Sequence, residues 1–245
     1  MKFLVCISQV PDTTTKITFT NNNNTFNNAG VQFIINPYDE LALTRAIELK
    51  ETLGGNVTVV TVGKAETEPN LRKALAIGAD DAIRINGDAN DAYYIASQIA
   101  DVVKKNQYDV ILTGKESIDY NGSQVGGMIA ALLDVPFISI ASKLTYENNF
   151  AVLEREIDGG KELISTPMPF VASAGKGMSE PRIPNMRGIM SARTKPLVVI
   201  EPIPAECLTT VTGYDLPPAK AACKMVSADN PAQLIDLLHN EAKII

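Results

Sequence analysis

The sequence predicts an α/β fold built on a doubly wound, mostly parallel β-sheet, with an added β-hairpin and an extended C-terminal arm. Over about the first 140 of the 245 residues, apolar runs of strand length alternate with segments of helical periodicity. This alternation is typical of βαβ units, whose right-handed crossovers place helices on both faces of a sheet. The hairpin is indicated by two short runs around a glycine turn, and the arm by prolines in about the last 40 residues.

Most predicted strands are unbroken apolar runs, as in strands buried on both faces, and are bounded by glycine, proline or asparagine. The run 16–20 instead alternates like an edge strand and precedes an asparagine-rich turn. The predicted strands are residues 3–8, 16–20, 31–35, 56–62, 82–85, 109–113, 152–157, 162–166 and 170–174.

The predicted helices have apolar residues three or four positions apart. Asn36 can cap the first helix, Pro37 suits its first position, and two glycines follow its end. The predicted helices are residues 36–53, 67–78, 91–105, 124–134 and 232–243. Residues 175–204 are rich in Gly, Pro, Met and Arg, and no dominant helix is predicted there. We expect one α/β domain over residues 1–202, followed by an arm and a short helix over residues 203–245.

The composition argues against several functions. With 22 Lys+Arg against 28 Asp+Glu, the net charge is −6, and without a dense basic stretch nucleic acid is not the expected main partner. The single histidine, His239, excludes a histidine-rich metal site and makes a catalytic triad unexpected. The cysteines Cys6, Cys207 and Cys223 lack metal or disulfide spacing, which fits a reducing cytoplasm. Neither a signal segment nor a membrane span of ~20 apolar residues is expected.

Three loops at the expected carboxyl ends of strands are candidates for ligand binding. Residues 113–127 lead from a buried strand through glycines and small polar residues into a helix, whose free N–H groups suit a phosphate. Residues 62–64 and the helix start at residues 36–37 are expected at the same edge of the sheet. Together they favour an adenine nucleotide with its phosphate near Gln124. The alternative is an ordinary capped loop, and neither a Walker A loop nor the GxGxxG fingerprint is present.

No pair of carboxylates is placed for acid–base chemistry. Asp12, Asp39 and Asp119 lie at helix starts or turns, where capping is their expected role. The acidic residues of the hairpin alternate with other residues, as on a solvated strand face. We therefore expect neither catalytic residues nor a metal site.

Five ordered motifs resemble those of electron transfer flavoprotein β subunits. The most distinctive is the hairpin sequence VLEREIDGGKE, which resembles the family's VxREIDGGxE hallmark. The motifs are INPYDE at residues 35–40, KALAIGAD at 73–80, the glycine-rich loop at 114–126, the hairpin sequence at 152–162 and PRIPNMRGIMSA at 181–192. The resemblance covers roughly residues 1–202 and is weaker in the arm.

The resemblance implies an adenine nucleotide alpha hydrolase-like fold and a non-catalytic role in electron transfer. In this family the β subunit pairs with an α subunit that holds most of a redox-active FAD. The heterodimer accepts electrons from dehydrogenases and passes them to a quinone-linked oxidoreductase or another acceptor. The β subunit also binds a structural, redox-silent AMP. Carried over by position, the AMP-binding residues would be Cys6, Asn36, Pro37, Tyr38, Asp39, Val62, Asp119, Asn121, Gly122, Ser123, Gln124, Val125, Gly126 and Ala130.

The resemblance also assigns segments that bind partners. Residues 184–195 correspond to the recognition loop that anchors dehydrogenases, with Met186, Arg187 and Ile189 as the contacting residues. Met186 stands where the family often has Leu, and a flexible apolar side chain suits an anchor. The alternative is that Met186 packs on its own subunit. The domain over residues 1–202 would bind the nucleotide, and the region 203–245 would dock on the α subunit.

The sequence also departs from the family pattern. The turn at residues 10–13 lacks the aromatic residue that many relatives place beside the flavin, residues 120–122 are less acidic, and residues 193–195 are less basic. A bifurcating branch binds a second FAD instead of AMP and carries a longer insert after the strand equivalent to residues 82–85. Here only residues 86–90 precede the next helix, which favours AMP. A further alternative, an ATP-binding regulatory homodimer of the stress-protein type, accounts for neither the hairpin nor the arm.

Overall fold

The structure, a computed structural model, describes residues 1–88, 91–220 and 222–245. The strands are β1 (Lys2–Cys6), β2 (Gln9–Pro11), β3 (Phe19–Thr20), β4 (Thr25–Phe26), β5 (Phe33–Ile35), β6 (Asn56–Val62), β7 (Asp81–Ile85), β8 (Val110–Gly114), β9 (Phe137–Glu147), β10 (Phe150–Ile157), β11 (Gly160–Thr166), β12 (Phe170–Ala174) and β13 (Leu197–Ile200). The helices are α1 (Pro37–Leu53), α2 (Glu68–Ile77), α3 (Ala92–Asn106), α4 (Val125–Leu133), α5 (Met186–Ala192) and α6 (Pro231–Asp236), which continues as a π-helical segment over Leu237–Ala242.

A nine-stranded sheet in the order β11-β10-β9-β12-β8-β1-β6-β7-β13 organises the fold. Its strand pairs are parallel except for β9 with β10 and β10 with β11, which are antiparallel. After β1 the chain adds β6 and β7 on one side and then returns to place β8 on the other. The strand order therefore reverses between β1 and β8, and ligands bind open α/β sheets at such a switch point. The predicted doubly wound sheet with an added hairpin is confirmed.

Two apolar cores cover the faces of this sheet. In β1, Phe3 and Val5 belong to the core that contains residues of α1 and α2, whereas Leu4 and Cys6 belong to the core that contains residues of α3 and α4. All four side chains are buried, so β1 has no solvated face beyond its exposed first residue, Lys2. The unbroken apolar run at this position is explained by burial on both sides.

Several elements differ from the sequence prediction. The predicted edge strand 16–20 is reduced to β3, which pairs with β4 in a separate two-stranded hairpin. The predicted strand 31–35 shortens to β5 and pairs with β2, outside the main sheet. The first change follows from the asparagine-rich turn between β3 and β4, where Asn21, Asn22 and Asn23 all adopt positive φ angles and fold the chain back on itself.

Four strands, β2, β4, β9 and β13, and the helix α5 were not predicted. The strand β9 loses its alternation at Ile140, which has a φ angle of 53°, and its pairing with both neighbours shifts register. The strand β13 has four residues and lies at the sheet edge. The helix α5 has seven residues and includes Gly188, so its sequence pattern is too short to be diagnostic.

The helices described in residues 1–88, 91–220 and 222–245 are all too short or too polar to cross a membrane.

The central position of β8 makes a stability prediction. Leu112 is fully buried there, and Leu112→Ala is expected to lower the free energy of unfolding by about 2–5 kcal/mol, since it leaves a cavity in the core. Leu163→Ala is the matched control because Leu163 is 73% exposed in the hairpin, and it should change stability by about 0.5 kcal/mol or less. Urea denaturation measures both, and equal losses would contradict the position of β8 at the sheet centre.

Candidate functional site

A cavity of about 530 Å³ opens at the carboxyl ends of β1, β6 and β8. Cys6, Val62 and Thr113, at the ends of these three strands, all line it. Its volume is typical of sites for small molecules and cofactors. The cavity therefore lies at the switch point of the sheet, where the sequence placed its candidate loops.

Asp39 connects the loops around this cavity. Its buried carboxylate accepts hydrogen bonds from the main-chain N–H of Ser8 (2.7 Å), the hydroxyl of Ser8 (2.5 Å) and the N–H of Gly114 (2.9 Å). Burial raises the pKa of Asp39 to about 6, although the hydrogen bonds from Ser8 and Gly114 act in the opposite direction. The expected role of Asp39 as a helix cap is wrong: it joins α1 to the loops that follow β1 and β8.

Asn36 does not make its predicted capping contact, and its side chain holds a loop instead. It occupies the capping position of α1 but makes no side-chain capping bond. Instead its amide donates to the carbonyl oxygen of Glu116 (2.8 Å) and accepts from the N–H of Ile118 (3.3 Å). The side chain of Tyr38 lies 4.7 Å from the Lys115 ammonium, measured to the ring centre. The start of α1 therefore positions residues 114–124, which we call the glycine loop.

The glycine loop leads into α4, and most of its residues line the cavity. Asn121 and Ser123 have φ angles of 52° and 51°, a left-handed conformation that recurs in anion-binding loops. Gln124 precedes α4 without a side-chain capping bond, and the first N–H groups of a helix have no partner within the helix. This arrangement can hold an anionic group.

Beside the start of α4, the main chain at Gly126 approaches its neighbours too closely for a side chain, and the hydroxyl of Thr113 has no hydrogen-bond partner among the described residues. A Cβ atom on Gly126 would lie 2.9 Å from Thr113 Oγ1 and 3.0 Å from the ring of Phe137, so no larger residue fits without a shift. Thr113 Oγ1 is buried and has no hydrogen-bond partner among the described residues. Since buried hydroxyls are nearly always paired, this atom indicates a ligand or water in the cavity.

The structure brings together most of the residues that were predicted to bind the nucleotide. Those that line the cavity are Cys6, Asp39, Val62, Asp119, Gly122, Ser123, Gln124, Val125 and Gly126. Those outside the lining are Asn36, Pro37, Tyr38, Asn121 and Ala130. The first three form the start of α1, Asn121 is exposed in the glycine loop, and Ala130 lies on the buried face of α4.

Sequence reasoning missed residues from three other segments. Thr67 lies after β6, three residues beyond Lys64, which already belongs to the predicted loop at residues 62–64. Asp91 precedes α3, and Thr209 and Val211 come from the C-terminal arm. No local pattern places the arm beside this cavity, because its contacts depend on the folded domain.

The cavity rim is acidic. In addition to Asp39, the described lining carries the carboxylates of Glu66, Asp88, Asp91, Glu116 and Asp119, against the ammonium groups of Lys64 and Lys115. Both ammonium groups are already paired, with Lys64 2.5 Å from Asp88 and Lys115 3.0 Å from Glu116. A ligand with many negative charges is therefore disfavoured.

The cavity offers no activated nucleophile. Cys6 is buried, and this burial raises the pKa of its thiol far above the usual range, with the nearby Asp39 carboxylate adding to the effect. The thiol therefore stays protonated and unreactive near neutral pH. No group of His, Cys, Asp or Glu in the described part of the chain could hold a metal ion.

A second surface is formed by α5, which we call the docking helix. Met186, Ile189 and Met190 are 74%, 42% and 68% exposed, so Met186 does not pack on its own subunit. Asn185 caps the helix by accepting from the N–H of Gly188 (2.8 Å). The docking helix thus presents several large apolar side chains to solvent, a feature typical of protein-binding surfaces.

The docking helix and α2 are joined by two charged side chains, one from each segment, that bind the carbonyl oxygens at the end of the other helix. The Arg72 guanidinium of α2 donates to the carbonyl oxygens of Ala192 and Lys195, both at 2.8 Å. In return, the Lys195 ammonium donates to the carbonyl oxygens of Leu75 (2.9 Å) and Ala79. Each helix therefore has a positive charge from the other segment at its C-terminal end, where the helix dipole is negative, and this interaction stabilises both helices.

The fold and the cavity define a class: an open, doubly wound α/β protein with a ligand crevice at its switch point. The family model described as electron transfer flavoprotein domain matches residues 23–205. The chain is 40% identical over 231 residues to the electron transfer flavoprotein subunit beta of Bacillus subtilis, with 88% of this chain and 90% of that protein covered. The chain therefore belongs to the electron transfer flavoprotein family, among its β subunits, and is an electron-carrier subunit rather than a catalytic enzyme.

Two less similar relatives are also electron transfer flavoprotein β subunits. The Sus scrofa subunit beta is 34% identical over 207 residues, with 82% of this chain and 81% of that protein covered. The mitochondrial subunit beta of Oryza sativa subsp. indica is 30% identical over 256 residues and is covered over its whole length, as is this chain. The resemblance seen in the sequence motifs is confirmed at the level of the family and the subunit.

The raised pKa of Asp39 predicts a pH-dependent stability. The pKa is about 6 in the folded protein against an ordinary 3.8, so the folded state binds this proton more tightly. The stability contributed by the neutral carboxyl is fully present below pH 4 and is lost as the pH rises through 6. Between pH 4 and 7, the free energy of unfolding should therefore fall relative to that of Asp39→Asn, on the order of 1–3 kcal/mol. The exposed Asp158→Asn is the control, and an unfolding difference independent of pH would contradict the prediction.

The contact beneath the docking helix makes another prediction. A Cβ atom on Gly188 would lie 2.3 Å from the carbonyl oxygen of Ala76, so Gly188→Ala must displace the helix from α2. We expect a loss of about 1–3 kcal/mol in unfolding free energy and faster amide exchange in residues 186–192. Gly160→Ala is the control, since nothing lies within 4 Å of its added Cβ. Alanine is favoured over glycine in helices by about 1 kcal/mol, so a stabilised Gly188 variant would rule out the close contact.

Proposed function

We propose that this chain pairs with an electron transfer flavoprotein α subunit and that its cavity holds a structural AMP. The heterodimer accepts electrons from dehydrogenases on an FAD held mainly by the α subunit, and passes them to a quinone-linked oxidoreductase or another acceptor. The observation that carries the AMP assignment is the cavity at the switch point, lined by the loops that bear the family motifs. We place the protein in the cytoplasm, because its three cysteines are all free.

The cavity offers matching groups to each part of AMP. The adenine lies against the ends of β1 and β6, where the main chain at Cys6 and Val62 reads its edge. The phosphate would lie at the start of α4, where the N–H groups of residues 122–125 and the positive end of the helix dipole favour an anion. The buried hydroxyl of Thr113 supplies a further hydrogen bond. A nucleotide held this way favours the folded state by mass action.

The charge of the rim supports a monophosphate over a triphosphate. ATP would add negative charge beside the carboxylates of Asp88, Asp91 and Glu116. The lysines that could offset this charge in the described lining, Lys64 and Lys115, are already paired. The ATP-binding regulatory module is therefore the weaker alternative.

A short connection supports AMP over a second FAD. The strand β7 ends at Ile85 and α3 begins at Ala92, so only residues 86–91 join them. The predicted connection over residues 86–90 falls partly outside the described residues, since Ala89 and Asn90 are not among them. The chain length alone leaves no room for the longer insert of the bifurcating type.

The end of the arm supports a partner subunit. Among the described residues after Tyr214, hydrogen bonds join the segment only to itself, as between Lys224 and Glu241 (2.5 Å). The exposed apolar side chains of this segment are Leu216, Met225, Leu234, Ile235, Ile244 and Ile245. An apolar segment without a core of its own becomes stable by packing on another protein. We assign it to the α subunit.

The docking helix binds the partner dehydrogenases. Met186 is the anchor, with Arg187 and Ile189 as neighbouring contacts, and its exposed, flexible side chain suits a hydrophobic pocket on the partner. FAD supplies one- and two-electron chemistry when bound. This chain's own residues provide binding and orientation, since Cys6 is protonated and the carboxylate of Asp39 is fully engaged.

The nucleotide content of the heterodimer tests the proposal. After co-expression with the α subunit, purification and release by heat, we expect one FAD and one AMP per heterodimer. Two FAD would overturn the AMP assignment and favour the bifurcating type, and a stable homodimer that binds ATP would favour the regulatory module.

A matched pair of variants locates the AMP. Gly126→Ala places a Cβ atom 2.9 Å from Thr113 Oγ1 at the proposed phosphate site, whereas Gly127→Ala makes only ordinary contact, 3.5 Å from the ring of Phe137. We expect Gly126→Ala to lower the AMP content severalfold and to leave the FAD content unchanged, while Gly127→Ala leaves both unchanged. Equal AMP contents in the two variants would place the nucleotide elsewhere.

A further inference from the structure

We infer that residues 203–214, the first part of the C-terminal arm, form a strap that closes the nucleotide cavity and must be released before the nucleotide can leave. The inference rests on the proposed nucleotide in that cavity. It gives the arm a second role besides docking on the α subunit, since the strap acts on this chain's own domain.

The strap forms one wall of the cavity. Thr209 and Val211 both line it, together with residues from the strand ends on the other side. Val211 is also 44% exposed, so it contacts the cavity on one side and solvent on the other. A segment placed in this way is a cover rather than part of the core.

The strap is attached to α3 at two points. Gln98, buried in α3, donates to the carbonyl oxygen of Ile203 (2.9 Å) and accepts from its N–H (2.8 Å). Asp91, at the start of α3, accepts from the N–H (2.9 Å) and the hydroxyl (2.6 Å) of Thr209 through one carboxylate oxygen. Its other oxygen caps the helix by accepting from the N–H of Tyr94 (2.8 Å). The hydrogen bonds from Thr209 lower the pKa of Asp91, so this carboxylate stays charged.

The far end of the strap meets the glycine loop. The ring of Tyr214 stacks on Phe19 with centres 4.8 Å apart and planes at 8°, and its N–H donates to the carbonyl oxygen of Asn23 (2.8 Å). Its hydroxyl lies 3.3 Å from the hydroxyl of Tyr120, which itself lines the cavity. The strap therefore crosses from α3 to the proposed phosphate site.

The attachments allow the strap to open without unfolding the sheet. No helix or strand holds residues 203–214, and the contacts described above are separate and few. Segments with such sparse contacts open at a lower free-energy cost than the core. Since the segment after Tyr214 is proposed to dock on the α subunit, the subunit would hold the strap from its far end and slow nucleotide exchange.

The test measures the release of radiolabelled AMP from the loaded heterodimer into an excess of unlabelled AMP. Thr209→Val removes the hydroxyl donor to Asp91 and keeps the side-chain shape, and Tyr214→Phe removes the contact with Tyr120 and keeps the stacking. We expect AMP to leave roughly tenfold faster from Thr209→Val, because its lost hydrogen bond involves a charged group. A smaller increase, about twofold, is expected for Tyr214→Phe, whose lost hydrogen bond is neutral. Thr210→Val makes the same chemical change at the exposed neighbouring position and should release AMP at the wild-type rate.

Asp91→Asn should weaken the attachment of the strap more strongly, but it also risks destabilising the start of α3, which Asp91 caps. One amide oxygen can still cap α3, but the amide NH₂ then faces the donors of Thr209. If this variant proves unstable in a thermal melt, Thr209→Val and Tyr214→Phe decide the question. AMP that leaves at the same rate from these two variants, Thr210→Val and the wild type would overturn the strap. Wild-type heterodimer without AMP would instead overturn the proposed nucleotide.

Discussion

The buried carboxylate of Asp39 is the interaction on which the site depends. The loops after β1 and β8 leave the sheet on either side of the switch point, and Asp39 joins both to α1 through Ser8 and Gly114. Hydrogen bonds to a charged group contribute about 1.5–3 kcal/mol each, while burial of the charge opposes them, so the group is stable only while all its donors are in place. Gly114 is part of the same constraint, because a Cβ atom there would lie 2.3 Å from Asp39 Oδ1.

The sequence predicted the centre of the fold well and its additions less well. The strands β1, β6 and β8 are unbroken apolar runs because both their faces are buried, and that signal is local. The loops at their ends were identified from their glycines, their small polar residues and the helix starts that follow the strands. In contrast, Asp39 and Asn36 were assigned to capping, since the residue types suit caps and only the folded chain brings Ser8, Gly114 and Glu116 within reach.

The missed features share a dependence on distant contacts. The docking helix exists because Arg72 and Lys195 stabilise the ends of two short helices, and the two residues are 123 positions apart. The strand β9 is interrupted at Ile140 by a backbone conformation that no apolar pattern encodes. Thr209 reaches the cavity through Asp91, 118 positions earlier in the chain. In each case the partner residues are ordinary in their own local sequence.

The helix α2 connects the two surfaces to which functions are proposed. It begins at Glu68, immediately after Thr67 at the cavity, and its later residues Arg72 and Ala76 hold the docking helix. A helix of ten residues is about 15 Å long and behaves as a rigid element over that distance. The apolar face of the docking helix is therefore fixed relative to the sheet before any partner arrives. Since a preorganised surface loses little conformational entropy on binding, a small set of exposed side chains would suffice for the proposed transient contact with a dehydrogenase.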